Sequence, residues 1–281
     1  MPSPSSSIDD ARRLLLPERL PRSAGYDLDW QVTNAMGPNP VWLAELLTEA
    51  MALRPGMRVL DLGCGRAASS IFLAREIGVQ VWAADLWITP TENRARIEEA
   101  GLADRVFPIH AEAHALPFAW EWFDAIVSID AFHYFGTDAL YLESCSRFLR
   151  PGGQLGIVVP GVSRELGDEL PAHLATCFSG SDLASFRSPE WWRSHWARTG
   201  LVDVVSADLA PEGASLWLRW SEGTLAYGTV TGRWPQGPAG YDHPTGNAHE
   251  IEMLRADAGG TLGFSRVVAR RAPTGDQPAM T

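Results

Sequence analysis

At 281 residues, 46% hydrophobic and 20% charged, the chain has the composition of a globular protein with room for one sizeable domain. Its net charge is −11 and its 23 basic residues are scattered without a patch or stripe, which weighs against a nucleic-acid partner. All of them are arginine, so lysine Schiff-base chemistry is excluded.

No apolar run approaches the roughly 20 residues that span a bilayer, and cytoplasmic residence without membrane insertion is the expectation. Cys64, Cys145 and Cys177 lack the spacing of a zinc site or a disulfide framework. His110 and His114 flank a strand end and a turn, and no metal site is expected.

In chain order, residues 1–20 read as a disordered Ser/Pro leader followed by a short helix, with too short an apolar run for a secretion signal. Residues 21–55 read as an N-terminal helical lid containing the amphipathic stretch WLAELLTEAMAL. From residue 57 onward, short apolar β-branched runs alternate with helical patterns. The runs are MRVLDLG (57–63), QVWAADL (80–86), RVFPIHA (105–111), DAIVSID (124–130) and QLGIVVP (154–160). Strands that are continuously apolar and separated by helices imply an α/β, Rossmann-like doubly wound parallel sheet. Two later strands, LVDVVSADL (201–209) and TLGFSRVVARR (261–271), extend it. The main domain is expected over 56–271, with cap insertions at about 160–200 and 212–260 and a flexible tail at 272–281. Insertions at sheet edges are where such folds place substrate lids.

Gly63-Cys64-Gly65-Arg66-Ala67-Ala68 follows a strand and precedes a helix, the context that gives a G-x-G-x-x-A motif its weight. Asp85 ends the next strand about 20 residues on, where an acid holds ribose hydroxyls. These features alone suit a nicotinamide dehydrogenase nearly as well as a methyl donor. Asp61 separates the two. Its carboxylate repels a pyrophosphate but attracts an ammonium or sulfonium, with about 4 kcal/mol of either sign at intermediate dielectric before desolvation.

VLDLGCG resembles the first motif of class I S-adenosylmethionine-dependent methyltransferases, and three further motifs follow in order over roughly residues 55–160. The resemblance implies a seven-stranded sheet with an antiparallel last strand and S-adenosyl-L-methionine as cofactor. It implies that Asp61, Gly63, Cys64 and Gly65 form the cofactor turn, and that Asp85 takes the ribose with Leu86 and Trp87 flanking the adenine. AEAHALPF (111–118) is similar to the segment that reads the adenine edge, through Glu112, where Asp is usual, and the Ala113 N–H. FDAIVSIDAFHYF (123–135), with Ser128, is similar to the strand that passes the methionine portion, and LRPGGQLGI (149–157) to the turn into the fifth strand.

For the chemistry, His133 is the candidate base or acceptor-orienting residue, with Tyr134 and Asp130 as neighbours that orient the acceptor or the imidazole. Trp191, Trp192 and Trp196 are expected to pack the core. Trp217, Trp220 and Trp234 are placed for an aromatic acceptor pocket, and Tyr26, Trp30, Trp42 and Tyr241 to close over it. Six cap arginines (Arg164, Arg187, Arg193, Arg198, Arg219, Arg233) leave room for an anionic handle. The expected partner is a small-molecule methyl acceptor with an O, N or C nucleophile, in the manner of secondary metabolism. A homodimer stays open as the oligomeric state. An NAD(P)-dependent oxidoreductase and a non-catalytic cofactor-binding regulatory module are the other readings.

Overall fold

The computed structural model describes residues 4–167, 170–175, 178, 183–235 and 244–273. Cys177 and Tyr241, and residues 274–281 of the expected tail, lie outside the described residues. Seven strands form a sheet among these residues: β1 (Arg58–Leu62), β2 (Gln80–Asp85), β3 (Val106–His110), β4 (Phe123–Ile129), β5 (Leu149–Val162), β6 (Val202–Leu209) and β7 (Leu262–Arg271). Their order is β3-β2-β1-β4-β5-β7-β6. Strands β1 to β5 pair in parallel, and β7 runs antiparallel between β5 and β6. This is the Rossmann-like sheet with the antiparallel last strand that the motif order implies.

Around the sheet lie α1 (Pro4–Leu15), α2 (Leu28–Asn34), α3 (Pro40–Thr48), α4 (Ala68–Phe72), α5 (Pro90–Glu99), α6 (Tyr141–Ser146), α7 (Pro189–Ala197), α8 (Gly213–Thr231) and α9 (Pro244–Asp257). Neighbouring strand residues feed opposite cores, as a period of two requires. Val59 belongs to the core that also takes in residues of α3, α4 and α8, whereas Leu60 belongs to the opposite core with residues of α6 and α7. Buried Trp192 and Trp196 fill the second core against Phe132, as expected of them.

The leader's helix begins already at Pro4, inside the Ser/Pro stretch expected to be disordered. Residues 4–15 are helical, and Ala11 and Leu15 are fully buried. Gly223 lets α1 and α8 approach, since a Cβ there would lie 2.7 Å from the Leu15 side chain. Arg219 of α8 donates to the carbonyls of Arg13 and Leu14. Ser/Pro composition suggests disorder, but apolar residues four apart, Ala11 and Leu15, make a stripe that tertiary packing stabilises.

The strand order reverses at β1, whose neighbours β2 and β4 lead to opposite halves of the sheet. Crevices at such switch points, beyond the carboxyl ends of the strands, are where α/β sheets bind ligands. The glycine turn after β1 and the segment after β4 meet there.

Candidate cofactor and acceptor site

The chain leaves β1 through Gly63 and Gly65, with φ +76° and +51°, and Ala67 (φ +60°) leads into α4. Close approach explains the missing side chains. A Cβ on Gly63 would lie 2.4 Å from that of Ala131, and one on Gly65 would lie 3.0 Å from Met36 Sδ. The turn is tied to its surroundings by the Gly63 and Cys64 N–H groups, which donate to Ala84 O, and by Asn93 Nδ2, which donates to Gly65 O at 2.9 Å. Cys64 is a buried filler in this turn, and burial raises its thiol pKa further, so it holds no thiolate.

Asp61 is fully buried. The Ser69 and Ser70 hydroxyls both donate to its Oδ2 at 2.6 Å, while Oδ1 has no hydrogen-bond partner. Burial, opposed by the two serines, pushes its pKa up to about 6. An unpaired buried carboxylate oxygen beside a glycine cradle fits an ammonium group and would repel a pyrophosphate. Asp85 accepts from Gly65 N at 2.8 Å through Oδ2, and from Trp87 N and Ile88 N through Oδ1. A carboxylate accepts at about four positions, so capacity for a ribose hydroxyl remains. Trp87 and Leu86 are exposed beside it, and Trp87 meets exposed Tyr134 with ring centroids 6.2 Å apart. S-adenosylmethionine fits these residues: Asp61 suits its ammonium, Asp85 its ribose and Trp87 its adenine.

Two expected contacts are placed otherwise. Glu112 turns to His114, accepting from its backbone N–H at 2.9 Å and its Nδ1 at 2.8 Å, and this partner holds the Glu112 carboxyl below its ordinary range. The Tyr141 hydroxyl donates to the Ala113 carbonyl, a bond that does not involve the Ala113 N–H. Ser128 is buried inside β4 and donates to Leu62 O at 2.7 Å, which pins β4 to β1 and leaves no hydroxyl for a ligand.

Beyond β4, Asp130 takes φ +55° and a short helical turn carries His133 and Tyr134. The structure groups these three residues at the mouth of the glycine turn but does not link Asp130 to the imidazole. His133 is buried, Nδ1 has no hydrogen-bond partner, and its ring packs on Tyr134 and Phe186. Burial lowers its pKa to about 3, so the ring is neutral. Asp130 is pushed up to about 8 by burial first and by the Glu250 carboxyl second, and is protonated at neutral pH. Glu250, on α9, accepts from Trp217 Nε1, and burial raises its pKa as well. Neither Glu250 nor Phe186 carried any signal in the sequence, since each reaches the site across more than fifty residues of chain.

Four of the six cap arginines are engaged elsewhere. Arg187 pairs with Glu165, Arg193 with Glu190 and Arg233 with Asp29, while Arg219 serves α1. Tyr26 packs on Trp30 and Phe72 and donates to Glu76, and Trp42 is buried against Trp220. No group of three or more His, Cys, Asp or Glu residues suited to a metal occurs among the described residues. Nor is any helix among them long and apolar enough to cross a membrane.

Fold and site together resemble those of class I S-adenosylmethionine-dependent methyltransferases. Residues 59–153 match the family model for the methyltransferase domain. The chain is 29% identical over 192 residues to the erythromycin 3''-O-methyltransferase of Saccharopolyspora erythraea, covering 63% of this chain and 60% of that one. It is 27% identical over 179 residues to the 27-O-demethylrifamycin SV methyltransferase of Amycolatopsis mediterranei, covering 54% and 66%. It thus spans less than two thirds of either relative. A methyltransferase structure from Geobacter sulfurreducens in complex with S-adenosyl-L-homocysteine has the same fold, with a TM-score of 0.60, 22% identity and coverage of 92% and 99%.

Proposed function

We propose that the chain methylates a hydroxyl oxygen of a small, largely apolar acceptor, and that His133 receives or orients the acceptor's proton. The bound S-adenosylmethionine would supply an activated methyl group, so the protein's work is alignment of the nucleophile and removal of its proton. The carrying observation is the unpaired, buried Nδ1 of neutral His133, two residues beyond the Ala131 that touches Gly63. In the tautomer that carries its proton on Nε2, this unpaired nitrogen accepts a hydrogen bond from an acceptor hydroxyl. Aromatic rings around it, Phe186 and beyond it Trp217, suit an apolar acceptor body. Both relatives' names specify an oxygen acceptor, which supports the same choice among O, N and C nucleophiles.

The test is a panel of hydroxylated, amine and carbon acceptors, including demethyl forms of erythromycin and rifamycin SV, incubated with methyl-labelled S-adenosylmethionine. Label in an ether product supports the proposal. Transfer only to amines or carbon overturns the oxygen assignment, and no transfer to any acceptor favours a non-catalytic module.

A further inference from the structure

The segment between α2 and α3, residues 35–39, crosses the glycine turn as a strap. Met36 Sδ lies against Gly65, and a Cβ on Gly37 would fall 2.6 Å from Asp130 Oδ2, so only glycine seats there without displacement. Both ends are anchored. Asn34 Oδ1 accepts from Arg96 Nε at 3.0 Å on the α5 side, and Asn39 caps α3 while its Nδ2 donates to Gln31 Oε1 at 2.9 Å. The middle of the strap is held by the cap. Trp220 of α8 donates its indole N–H to Gly37 O at 3.0 Å. Asp61 is fully buried beside this turn, so a ligand that reaches or leaves it must displace whatever covers it.

We propose that Trp220 is a positioning residue that latches the strap over the methyl donor, making donor and product release depend on the cap helix. Its ring is not the critical part. Trp42 packs edge-on against it with centroids 5.4 Å apart, yet the Trp42 Nε1 makes no hydrogen bond. The pair therefore separates ring packing from the latch bond, because Trp→Phe removes an N–H that matters at one position and an idle one at the other. This inference rests on the glycine turn being the methyl-donor site.

The measurement is release of labelled S-adenosylhomocysteine from the preformed complex of the full chain, chased with unlabelled cofactor. Trp220→Phe should speed release roughly three- to tenfold, the factor for one net hydrogen bond. Trp42→Phe should leave release unchanged. Gly37→Ala, whose methyl keeps the strap from seating, should speed release independently of the Trp220 variant. Unchanged release in Trp220→Phe overturns the latch, as does equal acceleration in Trp42→Phe, which would assign the effect to ring packing. A wild-type chain that binds no S-adenosylhomocysteine would overturn the donor-site reading itself.

Discussion

Ser70 donates its hydroxyl to Asp61 over 2.6 Å and, with Ser69, engages one carboxylate oxygen while the other stays unpaired. Burial holds this carboxyl near pKa 6. A bound cation favours the ionised form, so below about pH 6 binding must first release a proton. S-adenosylhomocysteine should therefore bind progressively more weakly as pH falls below 6, approaching tenfold per unit. Asp61→Asn should flatten that dependence and weaken binding at pH 7.5 by roughly 10- to 100-fold, the range for hydrogen bonds to a charged group. Calorimetric titration across pH 5–8 measures both, and a pH-independent wild-type affinity would sink the assignment.

Asp130 makes the opposite demand on stability. Its carboxyl is raised from 3.8 to about 8 in the fold. Between those values the folded state binds more protons than the unfolded one, so this group's contribution falls as pH rises through the window and levels off above about 8. Asn keeps the shape without ionising and tolerates the left-handed φ of +55°. Asp130→Asn should gain melting temperature relative to wild type steadily from pH 5 to 8, by roughly 2–4 °C for each kcal/mol at this chain length. A constant difference across that range would show that Asp130 does not titrate there.

Neutral His133 leads to a kinetic expectation. Its pKa near 3 places no imidazole titration between pH 5 and 8, so turnover at saturating donor should show no histidine inflection near 6.5. His133→Ala should lower turnover by up to about 10²-fold, the cost of a misaligned nucleophile, and change S-adenosylhomocysteine affinity little. Equal losses in both would make it a packing residue.

The two acids at the adenosine end should separate cleanly. Asp85 organises three backbone N–H groups of the cofactor turn and the loop after β2, whereas exposed Glu112 is held by His114. Asp85→Ala should weaken S-adenosylhomocysteine binding at least tenfold, because it removes the ribose acceptor and leaves Gly65 N unpaired. Glu112→Gln should change affinity less than about threefold, as expected of an exposed group. Comparable losses would mean that Glu112 leaves His114 and reaches the cofactor.

The sequence alone determined the sheet and the glycine turn with its two strand-end acids. Both are written in local signals: the continuously apolar runs of β1 to β5, the glycines that permit positive φ, and Asp61 and Asp85 at strand ends whose charge sign chooses among cofactors. Ser69 and Ser70 were legible in principle, one helical turn beyond the glycines, but hydroxyls at a helix start ordinarily read as caps. Only the tertiary structure decided the rest. Whether Ser128 meets a ligand or a neighbouring strand, and whether Glu112 meets adenine or His114, depends on hydrogen-bond competition between segments that spacing cannot rank. The pKa values of Asp130 and His133 come from burial by the cap, and the strap of Met36 and Gly37 is held by Trp220 from 183 residues away. Local periodicity records which face of an element is apolar. It does not record what covers that face, and in this chain the covering elements set the protonation states and closure of the site.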